Sequence, residues 1–494
     1  MANARWLGID LGTTNTLAAY LNESRVPQLI PDAANGETST PSILHVRGNH
    51  CVVGHSLERL LRASPALPVC RNWKLAMGAG NALFEDDAGR EWSAEDVAGV
   101  LLKKVRHDAA IHLGEEVFSA QITVPANFNQ VQRLATIGAG LSAGFVDVEL
   151  LDEPVAAATA YSTVQSQPAE ALFVFDLGGG TFDATVLHSS TEGLHALATR
   201  GANDIGGKFV DEAVFDVFRN VFHEVSGGQT PSSGLSQRLY DLAEQTKCGL
   251  SPVDQPFIEH VLLADGVPLR VGMTYRQLSP LVFPLVTRAA ELSERCVVEA
   301  GLGWSQIDRI LMVGGSSALP AARQKLAAIS GLSQDRIVSY EPARAVAYGA
   351  AIVAGGAARP TQAICSHDLG IRTYDPVSKR AKVEVLIPRN SPIPAKVKRQ
   401  FFGRNANETQ IRIQVVQSID GGEHQGVTEF MFGPLERPDV DGVQVQFEYT
   451  AAGTLQVTAD GQNQSMSSVT TLGAGPEAVL QQRKQIPHND MLMH

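Results

Sequence analysis

The sequence predicts two related α/β lobes followed by an antiparallel β-domain, on three observations. An apolar strand ending in Asp-Leu-Gly, followed by small and hydroxyl residues, occurs twice: at Trp6 to Thr14 and again at Leu172 to Thr181. Each copy later reaches a second apolar strand with a turn, at Ala120 to Pro125 and at Ile310 to Gly315, and a helix is expected after each. Beyond about residue 360 the helical patterns give way to segments that alternate apolar and polar residues, the mark of half-buried strands. A chain of 494 residues exceeds what one hydrophobic core organises, so division into domains is expected.

Within each lobe a Glu-Pro pair opens an alanine-rich helical stretch, Glu153-Pro154-Val155-Ala156 and Glu341-Pro342-Ala343-Arg344. Proline in a first helical turn loses no hydrogen bond, so both pairs are expected at helix starts. The second lobe carries a loop-and-helix insertion between Gly206 and roughly Ser279. The expected boundaries are lobes over 1–358, a linker over 359–368, a β-domain over 369–474 and a short tail over 475–494. In the β-domain, Lys382 to Ile387, Thr409 to Val415, Val443 to Tyr449 and Thr454 to Ala459 read as strands. In the tail, at most one short helix is expected, near Pro476 to Lys484.

Composition narrows the function classes. The charged fraction of 19% and hydrophobic fraction of 44% are those of an ordinary globular chain. A net charge of −12 argues against nucleic acid or an anionic membrane as the main partner, because neither would gain from charge neutralisation. The five cysteines form no CxxC pair and no Cys/His cluster, which points to reduced thiols rather than zinc or a disulfide framework. The stretch from Leu281 to Ala300 is interrupted by Pro284, Arg288, Glu291 and Glu294, so no membrane span is expected. Met1 to Arg5 leads straight into a strand without a signal region, and a cytoplasmic location is the expectation.

The repeated loops carry the chemistry. In Asp10-Leu11-Gly12-Thr13-Thr14-Asn15 a carboxylate ends a strand, glycine lets the backbone turn closely around an anion, and hydroxyl and N–H groups can bind phosphate oxygens. Gly178-Gly179-Gly180-Thr181 is the stronger signal, since three glycines in a strand-to-strand turn cost chain entropy unless something must approach the backbone. A plain glycine hairpin is the alternative for either loop alone. Asp10 and Asp176, facing each other across a cleft, would present carboxylates to one hydrated Mg²⁺. Lys74 and Glu153, taken singly, read as solvated surface charges.

At this point the chain resembles the heat-shock protein 70 (DnaK) chaperone family, as a divergent member without the C-terminal helical lid. The resemblance rests on Gly8 to Asn15, Ile122 to Asn129, Leu151 to Ala158, Asp176 to Asp183, Val313 to Ser317 and Ala347 to Ala351. It implies duplicated actin-like (ribonuclease H-like) ATPase lobes followed by an antiparallel β-sandwich that binds extended, unfolded polypeptide under control of ATP and ADP. Gly12, Thr13, Thr14, Asn15 and Gly178 to Thr181 (Gly178, Gly179, Gly180, Thr181) would hold phosphates, and Asp10 and Asp176 would order water around Mg²⁺. Lys74 would neutralise γ-phosphate charge, while Glu153 and Thr181 would position the attacking water. Gly206, Gly207, Glu244, Lys247, Ser251, Gly314, Gly315 and Ser316 would bind adenosine; Glu244 and Lys247, three apart on an expected helix, share a face. Pro125 and Arg133 look like a relay between nucleotide and peptide sites, against the alternative of a turn proline and an exposed helix arginine. Leu369-Gly370-Ile371 and Asn390 to Pro394 match landmarks of the β-domain, so that Phe401, Ile411 and Ile413 would line a pocket for one apolar peptide side chain. Plain β-core is the alternative for these three.

Several departures qualify what the resemblance implies. Ala318 and Cys248 stand where the family places arginines, and Phe209 and Ala343 replace acidic residues, so weaker nucleotide binding is expected. Glu149 reverses the charge of an arginine that engages J-domain partners, which argues against such a partner, whereas a nucleotide-exchange factor fits the resemblance. The linker, Thr361 to Asp368, lacks the family's leucine-rich run, and weak or differently built coupling is expected from it. Arg404 at the arch over the groove, with Tyr374 opposite, would narrow it or favour acidic peptides. Without a lid, bound peptides should leave quickly. Two other readings are weighed: a small-molecule kinase of the sugar-kinase branch, opposed by the β-domain, and a nucleotide-binding scaffold with little hydrolysis, opposed by Asp10, Lys74, Glu153, Asp176 and Thr181.

Overall fold

The computed structural model describes residues 5–461, apart from 166–168, 192, 252–256, 359–361, 376–377, 379, 404–408, 420–421, 436, 438, 441 and 451–452, together with residues 470–471. Arg404, the first part of the linker and the expected tail lie outside the described residues.

The duplication in the sequence is a duplication in topology. The first-lobe sheet runs in the order Asp147–Asp152, Ser119–Val124, Trp6–Leu11, Asn15–Leu21, Pro27–Leu29. The second-lobe sheet repeats it: Ile337–Ser339, Arg309–Val313, Ala171–Leu177, Phe182–Ser190, Gly193–Ala202. In both, the Asp-bearing central strand is antiparallel to its hairpin partner and parallel to the strand on its other side. The hairpin side brings the phosphate-type turn back at once; the parallel side demands a crossover, and helices supply it. The central strand Ala171–Leu177 is buried throughout, as a strand covered on both faces must be.

The two sheets meet through a pair of alanine-rich helices, Glu153–Val164 and Ala345–Ala354, which share one apolar cluster. Small side chains permit the contact: a Cβ on Gly349 would lie 1.8 Å from the Ala156 carbonyl oxygen, and one on Gly8 would lie 2.0 Å from Ala351 N. Pro154 sits in the first turn of its helix as expected. Pro342 does not. Glu341 takes a left-handed φ of 40°, the Pro342 carbonyl accepts the Gly314 N–H at 3.0 Å, and the helix starts three residues later at Ala345. That turn is spent on bracing the Gly314 loop.

The second-lobe insertion contains more than loops and helices. Helices Gly207–Val225 and Ser233–Leu250 are followed by a β-hairpin, Phe257–Ala264 with Val267–Thr274, before the long helix Tyr275–Glu299. The first lobe has an insertion of its own that the repeat does not announce. It comprises the hairpin Leu44–Arg47 with His50–Val53, the short 3₁₀ turn Trp73–Ala76 and the helix Ala94–Leu113. Ser93 caps that last helix reciprocally with Asp96.

After the lobes, two four-stranded antiparallel sheets pack face to face on one core that includes Ile371, Ile413, Val415, Val445, Phe447 and Val457. The four expected strands are present. Four more, Leu369–Asp375, Ala395–Phe401, His424–Phe432 and the two-residue Thr470–Thr471, go beyond that expectation. In Ala395–Phe401 an edge position exposes Lys396, Lys398, Arg399 and Gln400, which blurs the two-residue period.

Candidate nucleotide cleft and interdomain contact

Both phosphate-type turns point into the space between the lobes and touch each other there. A Cβ on Gly179 would stand 2.3 Å from Thr14 Oγ1, and one on Gly180 would stand 2.9 Å from Leu75 Cδ2 and 3.1 Å from Thr13 Cγ2. The second turn is held from behind, because Gly207 N and Lys208 N donate to the Gly178 and Gly179 carbonyls at 3.0 and 2.8 Å. The first is shaped by Ser42, whose Oγ donates to the Gly12 carbonyl at 2.8 Å and whose N–H donates to the Thr14 carbonyl at 2.8 Å. No motif in the sequence singles out Ser42, which is 30 residues away from the glycine it supports.

Lys74 is a buried side chain and not a solvated one. The 3₁₀ turn carrying it is anchored by Trp73, whose indole N–H donates to the Ser42 carbonyl at 2.9 Å. Lys74 Nζ then pairs with Glu153 Oε1 at 2.7 Å, and the two side chains are 4% and 10% exposed. Glu153 opens a helix, where the positive end of the peptide dipoles favours its charge.

Asp10 and Asp176, at the ends of the two central strands, lie on the floor of the same cleft with Asp183, the register partner of Asp176. Desolvation raises Asp10 to about 7, and the Glu153 charge adds to it; Lys74 and the Thr123 hydroxyl, 3.5 Å away, pull the other way. Desolvation, Glu153 and Asp10 push Asp176 well above the carboxylate range, and desolvation, Glu153 and Asp176 do the same to Asp183. Repelling carboxylates buried together with one lysine form a site short of positive charge. Among the described residues no group of three or more His, Cys, Asp or Glu is arranged to grip a bare metal ion. Such a donor set suits a cation that keeps its water.

The expected adenosine residues are only partly assembled. Gly206, Gly207, Lys247 and Ser316 converge: a Cβ on Gly207 would be 2.3 Å from Ser316 Oγ and 3.0 Å from Lys247 Nζ. A Cβ on Gly206 would be 2.7 Å from Gly180 Cα, tying this group to the turn Gly178 to Thr181. Gly314, at φ 79°, packs against the Leu177 carbonyl and the Asp176 carboxylate. Gly315 faces open space, and Ser251 only donates back to the Lys247 carbonyl at 2.9 Å. Lys247 is engaged with Asp211 at 2.7 Å, a partner that no spacing in the sequence suggests; the second Asp211 oxygen is buried without a hydrogen bond. Between the lobes a cavity of about 550 Å³ is lined by Thr13, Thr14 and Asn15 from one side and by Asp211, Glu244 and Cys248 from the other. That volume falls within the range of small-molecule sites.

Arg133 is not an exposed helix arginine. It is 4% exposed, pairs with Asp152 at 2.7 Å and donates to the Ala126 and Phe128 carbonyls. Segment 125–133 thus faces the cleft on one side, where Asn127 N donates to Asp183 Oδ1 at 3.2 Å. On its other side it holds the linker and the β-domain. The Ser366 hydroxyl donates to the Ala126 carbonyl, His367 Nε2 bonds the Asn127 carbonyl at 2.9 Å, and Gln130 Nε2 donates to Tyr449 Oη at 2.7 Å and to the Gly453 carbonyl at 3.0 Å. Leu455 N returns a bond to Gln130 Oε1 at 2.8 Å. Gln362 adds a backbone bridge to the strand Gly193–Ala202, and Ile364, Cys365 and Ser366 are buried. The linker lacking leucines is therefore docked, through polar contacts in place of an apolar run.

Of the expected peptide-pocket residues, Ile413 and Ile411 are 1% and 8% exposed and belong to the sandwich core, with Phe401 packed against it. The two isoleucines are closed to a ligand as packed here, and Phe401 is half-buried. Tyr374, at 36% exposure, faces outward, as do Phe402 and Met431.

The Hsp70 protein family model matches residues 72–483. Two curated relatives, each named Chaperone protein DnaK and each from a different strain of Thermus thermophilus, are 31% identical over 487 residues; each alignment covers 92% of this chain and 78% of the relative. A family match over most of the chain, joined to that identity over most of both lengths, means that the chain belongs to the Hsp70 family of ATP-hydrolysing chaperones.

Proposed function

We propose that this chain binds Mg²⁺ and ATP between its lobes, hydrolyses the nucleotide slowly, and uses nucleotide state to set how firmly the β-sandwich holds an extended polypeptide. The observation carrying this reading is segment 125–133, which touches cleft carboxylates on one face and the linker and sandwich on the other. Thr13, Thr14 and the turn Gly178 to Thr181 hold phosphate oxygens with backbone N–H and hydroxyl groups. Mg²⁺, when bound, neutralises phosphate charge; Asp10 and Asp176 would hold it through water. Lys74, kept in place by Glu153, stabilises charge that develops on the transferred phosphoryl group. Glu153 and Thr181 orient the attacking water. A change in lobe closure shifts Asp183 and Asp152, and these move Asn127 and Arg133 and with them the docked linker. An extended peptide would be held by strand-like hydrogen bonds beside Tyr374 and over Phe401, Ile411 and Ile413, which requires the sandwich to open from the packing described above. The free thiols fit a reducing, cytoplasmic setting. Exposed Glu149 leaves J-domain partners unfavoured.

Asp10 has a folded-state pKa raised to about 7 from 3.8, so its contribution to stability is complete below pH 4 and is lost as pH rises toward and through 7. A bound divalent cation favours the ionised carboxylate and removes that loss. Stabilisation by Mg²⁺ and ADP should therefore be greater at pH 8 than at pH 6, with protons released on binding near pH 7. Thermal midpoints at the two pH values and calorimetry in buffers of different ionisation enthalpy read both; equal stabilisation would contradict the role given to Asp10.

Gln130→Ala removes two donors to the sandwich and leaves Leu455 N buried without an acceptor, at a cost of about 1–3 kcal/mol to docking. Basal hydrolysis should stay within about twofold. The change in peptide affinity between ATP and ADP should shrink by about tenfold, since 1.4 kcal/mol is one decade. Peptide-binding titrations in each nucleotide check this.

A further inference from the structure

Cys248 is the one exposed cysteine of the five: Cys51, Cys296 and Cys365 are buried and Cys70 is half-buried. It lies one helical turn beyond Glu244 and beside Lys247, and it lines the interlobe cavity with Thr13, Thr14 and Asn15 from the opposite lobe. The cavity is built for a ligand on independent grounds. Asp211, 4% exposed, lines it too; one of its oxygens is paired with Lys247 and the other is buried without a hydrogen bond. An unmatched buried carboxylate oxygen is a standing cost that a donor from a bound molecule would remove.

We propose that Cys248 is a modification site for small disulfides of the glutathione type, and that the mixed disulfide formed there excludes nucleotide from the cavity. The proposal rests on the reading that this cavity takes the nucleotide. The chemistry is an exchange that balances without a further oxidant. The Cys248 thiol loses its proton to solvent and its sulfur attacks one sulfur of the reagent. A new S–S bond forms, the reagent's S–S bond breaks, and half of the reagent leaves as a thiolate. Cys248 is oxidised by the exchange and the reagent is reduced. Partial desolvation, together with Glu244 and Asp211, holds the Cys248 thiol above its usual range against the pull of Lys247, so the thiolate is scarce at neutral pH. Selectivity then comes from access, since the three buried thiols are closed to a reagent in the folded chain. A tripeptide tethered at Cys248 would project among residues that contact nucleotide from both lobes.

The test uses the full chain and an aromatic disulfide that releases a coloured thiolate, followed by glutathione disulfide itself. In the parent, one thiol should react at least tenfold faster than the rest, and it should be missing from Cys248→Ser. Saturating Mg²⁺ and ATP should slow that reaction at least tenfold. Treated parent should lose at least tenfold in affinity for a fluorescent adenine nucleotide relative to untreated parent and regain it on reduction. Treated Cys248→Ser should match its own untreated control. Quantitative labelling of Cys248 with unchanged nucleotide affinity would overturn the proposal, as would an equal loss in treated Cys248→Ser. If untreated parent bound no nucleotide, the reading of the cavity itself would fall, and the proposal with it.

Discussion

Lys74→Ala should reduce single-turnover ATP hydrolysis by about 10²–10³-fold, the usual loss when one preorganised charge-stabilising group is removed from a phosphoryl-transfer or acyl-transfer site. ATP binding should change far less, because the phosphate contacts proposed for both turns would remain. The cleft makes the direction firm. Lys74 is the cation that opposes the rise of both Asp10 and Asp176, and its 2.7 Å contact fixes Glu153 in position. With the amine gone, Glu153 loses its partner and the carboxylates rise further, which also weakens their hold on a hydrated cation. A quench-flow measurement on pre-bound nucleotide separates the chemical step from binding. Parent-like hydrolysis in this variant would remove Lys74 from the mechanism.

Gly349→Ala should destabilise the chain by about 3 kcal/mol or more, although it adds a single methyl group. The added carbon would stand 1.8 Å from the Ala156 carbonyl oxygen and 2.4 Å from its carbon, against backbone that cannot rotate away. Overpacking of a core costs about 1–3 kcal/mol when side chains can adjust, and this contact lies at or above the upper end. The helix pair Glu153–Val164 and Ala345–Ala354 joins the lobes, so separation there also displaces Glu153 at its first residue. Denaturant titration should show a lower midpoint with nucleotide binding weakened in parallel. An unchanged midpoint would mean that the two helices are not in this contact.

What is local and repeated is legible in the sequence. Asp-Leu-Gly turns, the strands before them and alternating β-segments all carry their signal within a few residues, and both Asp-Leu-Gly strands lie where that signal puts them. Contacts that join distant parts leave no such trace. The Gln130 side chain meets Tyr449 across 319 residues, and the Asn127 backbone N–H meets Asp183 across 56; neither contact belongs to a spacing pattern that could be read beforehand. The linker's missing leucines argue for weak coupling, and its polar docking is invisible in the sequence because Ser366 and His367 bond to carbonyls, which every residue has. Lys74 and Arg133 illustrate the same limit from the opposite side. Charged residues are usually exposed, and only the fold reveals that Glu153 and Asp152 wait to receive them. The Pro342 turn shows local preference yielding to a tertiary demand, since its carbonyl is taken by Gly314.

The central claim is that nucleotide in the cleft governs the grip of the sandwich through segment 125–133 and the docked linker. Fluorescence anisotropy of one extended apolar peptide, titrated with the full chain in ADP and then in ATP, tests it most directly. The account predicts peptide affinity at least severalfold lower in ATP than in ADP. Equal affinities in the two nucleotides would contradict it.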